Sequence, residues 1–342
     1  MKIVRCITLI LILGLVVAAC SSSSGSLPTP TVQPEPTVTS TEPFRVALIM
    51  PSAANDLAFS QSMYDALIRI QNDMGGPEKM QFVYSQGMFI IDDAAVALRT
   101  YASQGYDLVI AHGSQYGSPL QEIAPDFPEV SFAWGTSTDT WNMPNVFAYQ
   151  AASQEGGYVN GVLTAALTNS KVIGVIGPIE TGDAKLYVDG FKAGVAATNP
   201  EIQVNVDYIG SFSDVVLASE AATTFLSKGA DIMTGTSQMV VGATRIAEEN
   251  DVLWFGTQSN QSILSSKLVV ASQVYHWEVV LKEMIAKIQT GTLGGETFTI
   301  NLANGGEVIE YNPDYPLRAK AKTLGDATVQ GIIDGTITIS LP

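Results

Sequence analysis

The sequence predicts an α/β protein with two doubly wound lobes, each built on a parallel sheet. Three observations lead to this prediction. Short apolar runs alternate with segments of helical periodicity, which is typical of a parallel sheet covered on both faces. The alternation occurs in two successive series of similar size. The chain beyond its N-terminal leader, about 300 residues, is also too long for one ordinary core.

The first series opens with an apolar run at 45–50, which ends at Pro51. Phe59, Met63, Leu67 and Ile70 follow at spacings of three and four, which indicates a helix. The same reasoning predicts further strands at 81–84, 108–111 and 130–133, and helices at 92–104 and 120–126.

The second series opens with a predicted helix at 154–168. It continues with strands at 172–176, 204–209, 231–233 and 252–255, separated by helices at 184–197, 215–227 and 240–249. The regular alternation then ends. The last segments predict a strand at 269–274, a helix at 277–289, a hairpin of 297–302 with 308–311, and a helix at 319–333.

The N-terminus has the pattern of an exported lipoprotein. Basic residues Lys2 and Arg5 precede an apolar run at 7–17, and small residues precede Cys20. The run is shorter than the roughly 20 residues that cross a membrane. We therefore expect a signal peptide at 1–19, a lipidated Cys20, and a Ser/Thr/Pro-rich tether at 20–43. These features predict a lipid-anchored protein facing the periplasm or the cell exterior.

Composition excludes several classes of function. Cys6 leaves with the signal peptide and Cys20 carries lipid, so disulfides, zinc-thiolate sites and cysteine nucleophiles are excluded. The formal charge of −16 produces a surface that repels nucleic acid. His112 and His276 lack the spaced partners of a metal or catalytic site. We expect a monomer without enzymatic activity, cofactor or metal.

The candidate ligand site lies at the carboxyl ends of the predicted strands, where open α/β sheets bind ligands. The segments there are polar and aromatic, as a small-molecule pocket requires, with flat apolar faces and a few placed polar groups. We expect ligand contacts from Asn55, Asp56, Phe59, Ser60, His112, Tyr116, Trp134, Phe212, Asp214, Gln238, Gln258 and Trp277.

Several of these segments resemble the basic membrane protein family, whose members include a bacterial purine-nucleoside receptor. Their order and spacing agree with the family over residues 44–289. The matching segments are Asp56-Leu-Ala-Phe-Ser-Gln-Ser62, Tyr106-Asp-Leu-Val-Ile110, Gly157-Tyr-Val-Asn-Gly161, Gly190-Phe-Lys-Ala-Gly194 with Asn199-Pro200, Tyr208-Ile-Gly-Ser-Phe-Ser-Asp214, Gly229-Ala-Asp231 and Gly256-Thr-Gln-Ser-Asn-Gln261.

The resemblance implies a type I periplasmic-binding-protein fold with a hinge and a ligand cleft between the lobes. The first lobe would comprise residues 44–150 and 257–290, and the second 151–256 and 291–342. It further implies an ABC permease as the membrane partner. Phe59 falls on the family's base-stacking aromatic, Asp56 on the acid of the same loop, and Phe212 on an aromatic of the second lobe.

The sequence also departs from the family pattern. Gln258 replaces an acid of the Gly-x-Asp-Ser-Asp-Gln motif, and Tyr275 stands about where nucleoside receptors carry a lysine. These changes suggest that the charged grip on a ribose is absent. Val274-Tyr-His-Trp277 is similar to a branch of the family that includes binders of free purine bases.

The identity of the ligand remains open among a purine nucleoside, a purine base and a related heterocycle such as a flavin. A sugar is the alternative within the same fold, because aromatic rings also stack on pyranose faces. A surface-anchored sensory receptor is a second alternative. An enzyme of nucleoside metabolism is disfavoured, because no acid-base constellation is recognisable in the sequence.

Overall fold

Strands and helices alternate along residues 42–341, the part of the chain that the computed structural model describes. The strands are β1 (Phe44–Ile49), β2 (Met80–Ser85), β3 (Leu108–His112), β4 (Ser131–Gly135), β5 (Val146–Ala151), β6 (Val172–Gly177), β7 (Gln203–Tyr208), β8 (Ile232–Gly235), β9 (Leu253–Gly256), β10 (Val269–Tyr275), β11 (Thr297–Ile300) and β12 (Glu307–Tyr311).

The helices are α1 (Phe59–Asp73), α2 (Ile91–Ser103), α3 (Gly117–Ile123), α4 (Gln154–Leu167), α5 (Gly182–Thr198), α6 (Val215–Ser227), α7 (Val240–Glu249), α8 (Glu278–Gln289) and α9 (Ala319–Ile333). Within the described residues, no helix is long and apolar enough to cross a membrane. The predicted signal peptide, Cys20 and nearly all of the tether lie outside the described residues.

The strands form two six-stranded sheets of matching topology. The first has the order β11-β5-β4-β3-β1-β2, and the second has the order β12-β10-β9-β8-β6-β7. Every pairing is parallel except that of β12 with β10. Apolar clusters cover both faces of each sheet, so the predicted pair of doubly wound lobes is confirmed.

The last part of the chain corrects the predicted lobe boundaries. β10 belongs to the second sheet, although 257–290 was assigned to the first lobe. β11 belongs to the first sheet, although 291–342 was assigned to the second. α8 does lie in the first lobe, where Leu281 and Met284 pack with Met63 and Leu67 of α1. The chain therefore crosses between the lobes three times, after β5, β10 and β11.

Two strand predictions were wrong for the same reason. β11 and β12 do not form a hairpin, because β11 pairs parallel to β5 and β12 pairs antiparallel to β10. Their connection, 301–306, is longer than the two to five residues of common hairpin loops. β5, which was not predicted, is an apolar run directly after Pro144 and Asn145. Pairing between distant segments, rather than local pattern, defines these strands.

Helices α4 and α5 pack closely through glycine pairs in the two motifs Gly157-x-x-x-Gly161 and Gly190-x-x-x-Gly194. A Cβ on Gly161 would lie 2.2 Å from the carbonyl oxygen of Phe191, and one on Gly190 would lie 2.2 Å from that of Gln154. The helix backbones touch at these points, so a side chain cannot be accommodated without separating them. Both motifs are thus explained by packing.

His112 is a polar residue enclosed in the first lobe. Its Nδ1 lies 2.8 Å from the Tyr149 hydroxyl and its Nε2 lies 3.1 Å from the Phe59 carbonyl oxygen. The side chain is fully buried. Burial lowers the pKa of His112 to about 3, because the charged imidazolium would lose its hydration. The neutral ring is therefore the form that the fold stabilises.

We expect Gly190→Leu to lower the free energy of unfolding by about 1–3 kcal/mol or more, because the new side chain forces α4 away from α5. Ala196→Leu on the exposed side of α5 is the matched control and should change stability by a few tenths of a kcal/mol. Urea denaturation of both variants measures the difference. Equal stability of the two variants would show that the close helix approach is not required.

We expect His112 to make the fold sensitive to acid. Below pH 6.5 the unfolded chain takes up a proton that the folded protein rejects, so stability falls as the pH decreases from 6.5 towards 3. The loss between pH 7 and pH 5 should be roughly 2 kcal/mol. His112→Gln should remove this part of the pH dependence.

Tyr149→Phe is the control for the His112 prediction, because it removes the same hydrogen bond but keeps the histidine. It should be less stable than the wild type at every pH and retain the steep pH dependence. Denaturant titrations at pH 5, 6 and 7 supply the comparison. The prediction fails if His112→Gln loses stability with acid as steeply as Tyr149→Phe.

Candidate functional site

A cleft with about 390 Å³ of empty space, which includes space open to solvent, lies at the carboxyl ends of the strands of both sheets. Pro51 follows β1, Thr136 follows β4, and Gln258 follows β9. The position is the one expected for a ligand site in open α/β sheets. The full lining comprises Pro51, Phe59, Phe89, Gly113, Ser114, Gln115, Thr136, Asp183, Phe212, Ser237, Gln238 and Gln258.

Phe59, Phe89 and Phe212 supply the apolar surface of this cleft. Phe59 stacks on His112 with ring centroids 3.8 Å apart and planes 9° apart, and its ring meets Trp277 edge to face. Phe212 precedes α6 in the second lobe, and its carbonyl accepts a hydrogen bond from the Met239 backbone N–H at 3.2 Å. These contacts hold aromatic faces on both lobes of the cleft.

Asp183 is the acidic residue of the cleft, and it sits in the first turn of α5. Its carboxylate accepts a hydrogen bond from the Thr136 hydroxyl of the first lobe at 3.2 Å. The Tyr275 hydroxyl lies 3.5 Å away, and the Gln258 side chain is a further donor. Loss of hydration raises the pKa of Asp183 above its usual value, although these hydrogen bonds lower it in part.

Amide side chains line the remaining polar wall. The Gln258 Oε1 atom accepts the Ser237 backbone N–H at 3.2 Å, and the Gln258 carbonyl accepts the Tyr275 N–H at 3.1 Å. Gln238 and Gln115 also face the cavity. Each amide offers both a donor and an acceptor, so this wall can match the edge of a heterocycle or a row of hydroxyls.

The lobes touch each other beside the cavity. The Ser259 hydroxyl of the second lobe donates to the Ala58 carbonyl of the first at 2.8 Å. The Gln261 Nε2 atom donates to the Leu57 carbonyl at 3.0 Å. Together with the contact between Thr136 and Asp183, these hydrogen bonds join the two lobes across the cleft.

Four residues predicted from the sequence line the cavity: Phe59, Phe212, Gln238 and Gln258. Asn55 is exposed nearby. Tyr116 is buried, and its hydroxyl donates to the Met88 carbonyl at 2.7 Å.

Trp134 stacks on Trp141, with ring centroids 4.5 Å apart. Trp277 is buried and donates from Nε1 to the Ser62 hydroxyl at 2.9 Å. With His112, these aromatics support the cleft from behind rather than line it.

Three polar residues that were predicted to contact ligand do not line the cavity but hydrogen-bond the backbone. Asp56 accepts backbone N–H bonds from Ala58 at 2.9 Å, Ser60 at 3.1 Å and Gln61 at 3.0 Å, and so caps the start of α1. Asp214 caps α6 in the same way through two backbone N–H groups. The Ser60 hydroxyl accepts the Ser52 N–H at 3.1 Å. Each of these side chains accepts backbone N–H groups, and those at the start of a helix have no partner within the helix.

The cavity also contains residues that sequence reasoning missed. Asp183 directly follows the polar segment 177–182 at the end of β6, so the sequence could have indicated that it lies near the cleft. Phe89 lies in the loop after β2, a strand end that was not considered. Gln115 and Thr136 lie in the polar segments that follow β3 and β4, next to His112 and Trp134, which were predicted as contacts.

Asp183 is the sole ionisable side chain in the cavity lining formed by residues 42–341. The same residues contain no group of His, Cys, Asp and Glu side chains that could hold a metal ion. The cavity therefore combines aromatic faces, amide edges and one carboxyl group. Such a surface can bind a flat, uncharged or positively charged molecule by stacking and hydrogen bonding.

Comparison with known proteins places this arrangement in a family. Residues 44–339 match the family described as ABC transporter substrate-binding protein PnrA-like. The chain is 25% identical to the ABC transporter nucleoside-binding protein BmpA of Lactococcus lactis over 310 residues, covering 84% of this chain and 86% of that protein.

It is also 24% identical to the transcriptional activator protein Med of Bacillus subtilis over 275 residues, covering 80% of this chain and 83% of that protein. Among solved structures, an ABC transporter solute-binding protein of Aeropyrum pernix superposes with a TM-score of 0.75 at 18% identity, covering 88% of this chain and 94% of that one. This likeness confirms the type I solute-binding fold. The chain belongs to the PnrA-like family of ABC transporter substrate-binding proteins.

Proposed function

We propose that this protein is an extracytoplasmic lipoprotein that binds a purine nucleoside, a purine base or a related heterocycle and delivers it to an ABC permease. The observation that carries the proposal is the cleft between the lobes, where aromatic rings from both lobes meet a wall of amides. Relatives named as a nucleoside-binding protein and as a purine-binding protein support a purine ligand.

Phe59 and Phe212 would stack on the ligand ring, and Gln238 and Gln258 would bond its edge. Phe59 is well suited to this role because His112 behind it fixes the ring plane. A rigid aromatic face loses little conformational freedom when a ligand stacks on it. Flat heterocycles gain about 1–3 kcal/mol from each such contact.

The position where nucleoside receptors carry a lysine has a different role here. The Tyr275 hydroxyl lies 2.7 Å from the Ser153 hydroxyl at the first crossover between the lobes. Gln258 is likewise uncharged, so Tyr275 and Gln258 cannot hold ribose hydroxyls through charged groups. This arrangement supports a free base, or a nucleoside held mainly through its base.

Ligand binding would favour the closed form of the protein. A ligand shifts a conformational equilibrium by its difference in affinity for the two states. Contacts with Phe59 in one lobe and Phe212 in the other exist together when the lobes are closed. The permease would then recognise the closed lobes.

A sensory role is the second candidate, because the Med relative carries the name of a transcriptional activator. Binding and closure would be the same in both roles. Uptake of labelled purine by cells separates them, because deletion of the gene would abolish high-affinity uptake if the protein serves transport. Unchanged uptake with a changed transcriptional response to purine would favour the sensor.

The ligand site is tested by Phe212→Ala. We expect the variant to lose about 1–3 kcal/mol of binding free energy for adenine or adenosine while its melting temperature changes little, because Phe212 is partly exposed in a loop. Calorimetric titration and thermal melting of the full-length protein supply the two values.

Phe82→Ala, on β2 and outside the cavity lining, is the matched control and should weaken folding but not binding. If Phe212→Ala binds purines as tightly as the wild type, Phe212 is not a stacking residue. If neither purine raises the melting temperature of the wild type, the proposed ligand class is wrong.

Lipid anchoring is tested by Cys20→Ser. We expect an unlipidated precursor that is not anchored in the membrane, because this thiol is the acceptor for the lipid. Labelling with a fatty-acid analogue followed by membrane fractionation measures the change. Cys6→Ser is the control and should be labelled normally, and labelling of Cys20→Ser at the wild-type level would contradict the proposal.

A further inference from the structure

We propose that Asp183 selects the ligand by charge: it receives a hydrogen-bond donor or a positive charge of the ligand and excludes molecules that carry phosphate or carboxylate groups. The inference rests on the proposed function and narrows it. It predicts that the protein discriminates against the anionic forms of its own ligand class, such as nucleotides and acidic purines.

The position of Asp183 gives it access to the ligand and to both lobes. Its carboxylate lies in the cavity that Phe59 and Phe212 line. One oxygen contacts the Thr136 hydroxyl of the first lobe at 3.2 Å. The other is 3.5 Å from the Tyr275 hydroxyl, which also contacts Ser153 at the first crossover. A ligand group that reaches Asp183 therefore sits where the closed lobes meet.

The donors around Asp183 are all neutral. They are the hydroxyls of Thr136 and Tyr275, the amide of Gln258 and the backbone N–H of Asp183 itself. An ionised carboxylate has about four acceptor sites, so a donor from the ligand would take the site that Tyr275 fills poorly. The contact with Tyr275 is long, which leaves that oxygen weakly satisfied.

No cation of the described residues neutralises this carboxyl. Lys185, two residues along the same helix, forms ion pairs with Glu180 at 3.7 Å and with Asp189. The ion pairs within residues 42–341 do not include Asp183. A carboxylate in a confined space without a counter-charge is unfavourable, and a ligand N–H or cation would compensate it.

Within residues 42–341, the rest of the cavity lining provides no basic side chain that would neutralise an anion. Its lining contains aromatic, amide and hydroxyl side chains, and it has no lysine, arginine or histidine among the described residues. A phosphate or carboxylate placed there would face Asp183 without a basic partner. Like charges in such a site repel strongly, because the surrounding dielectric constant is low.

The alternative is that Asp183 acts only as a latch, holding the lobes together through Thr136. A latch changes the affinity for every ligand by the same factor, since it alters only the closing equilibrium. A selector changes the ratio between ligands. The ratio of affinities for neutral and anionic probes therefore separates the two roles.

The test compares adenosine with adenosine 5′-monophosphate, and adenine with urate, which is an anion at neutral pH. Binding to the full-length protein is measured by calorimetry. We expect the wild type to bind each neutral probe at least tenfold more tightly than its anionic counterpart. Asp183→Asn should weaken the binding of adenosine or adenine at least tenfold. It should also reduce the ratio of affinities for the neutral and the anionic probe at least fivefold.

Two variants serve as controls. Glu180→Gln removes the same charge three residues earlier, outside the cavity, and should bind like the wild type. Thr136→Val removes the contact between Thr136 and Asp183 but keeps the carboxyl group. It should therefore weaken the binding of all probes and preserve the ratio of affinities for neutral and anionic probes. If Asp183→Asn melts far below the wild type, Asp183→Ser replaces it in the same comparison.

The proposal is overturned if Asp183→Asn keeps the wild-type ratio, or if the wild type binds the nucleotide as tightly as adenosine. If no purine binds the wild type, the proposed ligand class fails separately. Mass spectrometry of the molecule released from denatured wild-type protein then decides the Asp183 proposal. A phosphorylated or carboxylated molecule would overturn it, whereas a molecule with N–H donors or a positive charge would support it.

Discussion

The structure depends on buried hydrogen bonds at the three places where the chain crosses from one sheet to the other. At their centre, Glu307 at the start of β12 is fully buried and accepts the Gly156 backbone N–H at 3.0 Å and the Gln273 side-chain amide. Burial raises the pKa of Glu307 well above its usual value, which favours the neutral acid. Glu155 accepts the Leu302 N–H at 2.9 Å, which ties the first crossing to the third.

Two helices that pack against each other link the first chain crossing to the cleft. α4 begins at the first crossing, and α5 begins at the cleft with Asp183 in its first turn. The glycine pairs bring the backbones of these helices into direct contact, so the helix that carries Asp183 packs tightly on the helix that begins at the first crossing. Tyr275 adds a second connection, since it contacts Ser153 at the crossing and Asp183 at the cleft. The cavity and the chain crossings are thus joined through packed elements.

The first lobe prepares its aromatic face by burying polar groups behind it. His112 stacks on Phe59 and is held in turn by Tyr149 and by the Phe59 carbonyl. Asp56 caps α1 and fixes the loop from which Phe59 emerges. Asp56 and His112, which were predicted as ligand contacts, therefore position the Phe59 ring that faces the cavity. Preorganisation of this kind reduces the entropy lost on binding.

The sequence by itself determined the class of fold, the two lobes and nearly every strand and helix, because periodicity and turn residues are local properties. It also located the strand ends that surround the cleft, and the motifs containing Phe59 and Phe212. Tertiary structure decided the exchange of β10 and β11 between the lobes, since strand pairing joins segments far apart in the chain. It also decided that Asp56, His112 and Trp277 lie behind the cleft, whereas Asp183 lines it. The direction of a side chain depends on tertiary packing, which the linear sequence pattern does not contain.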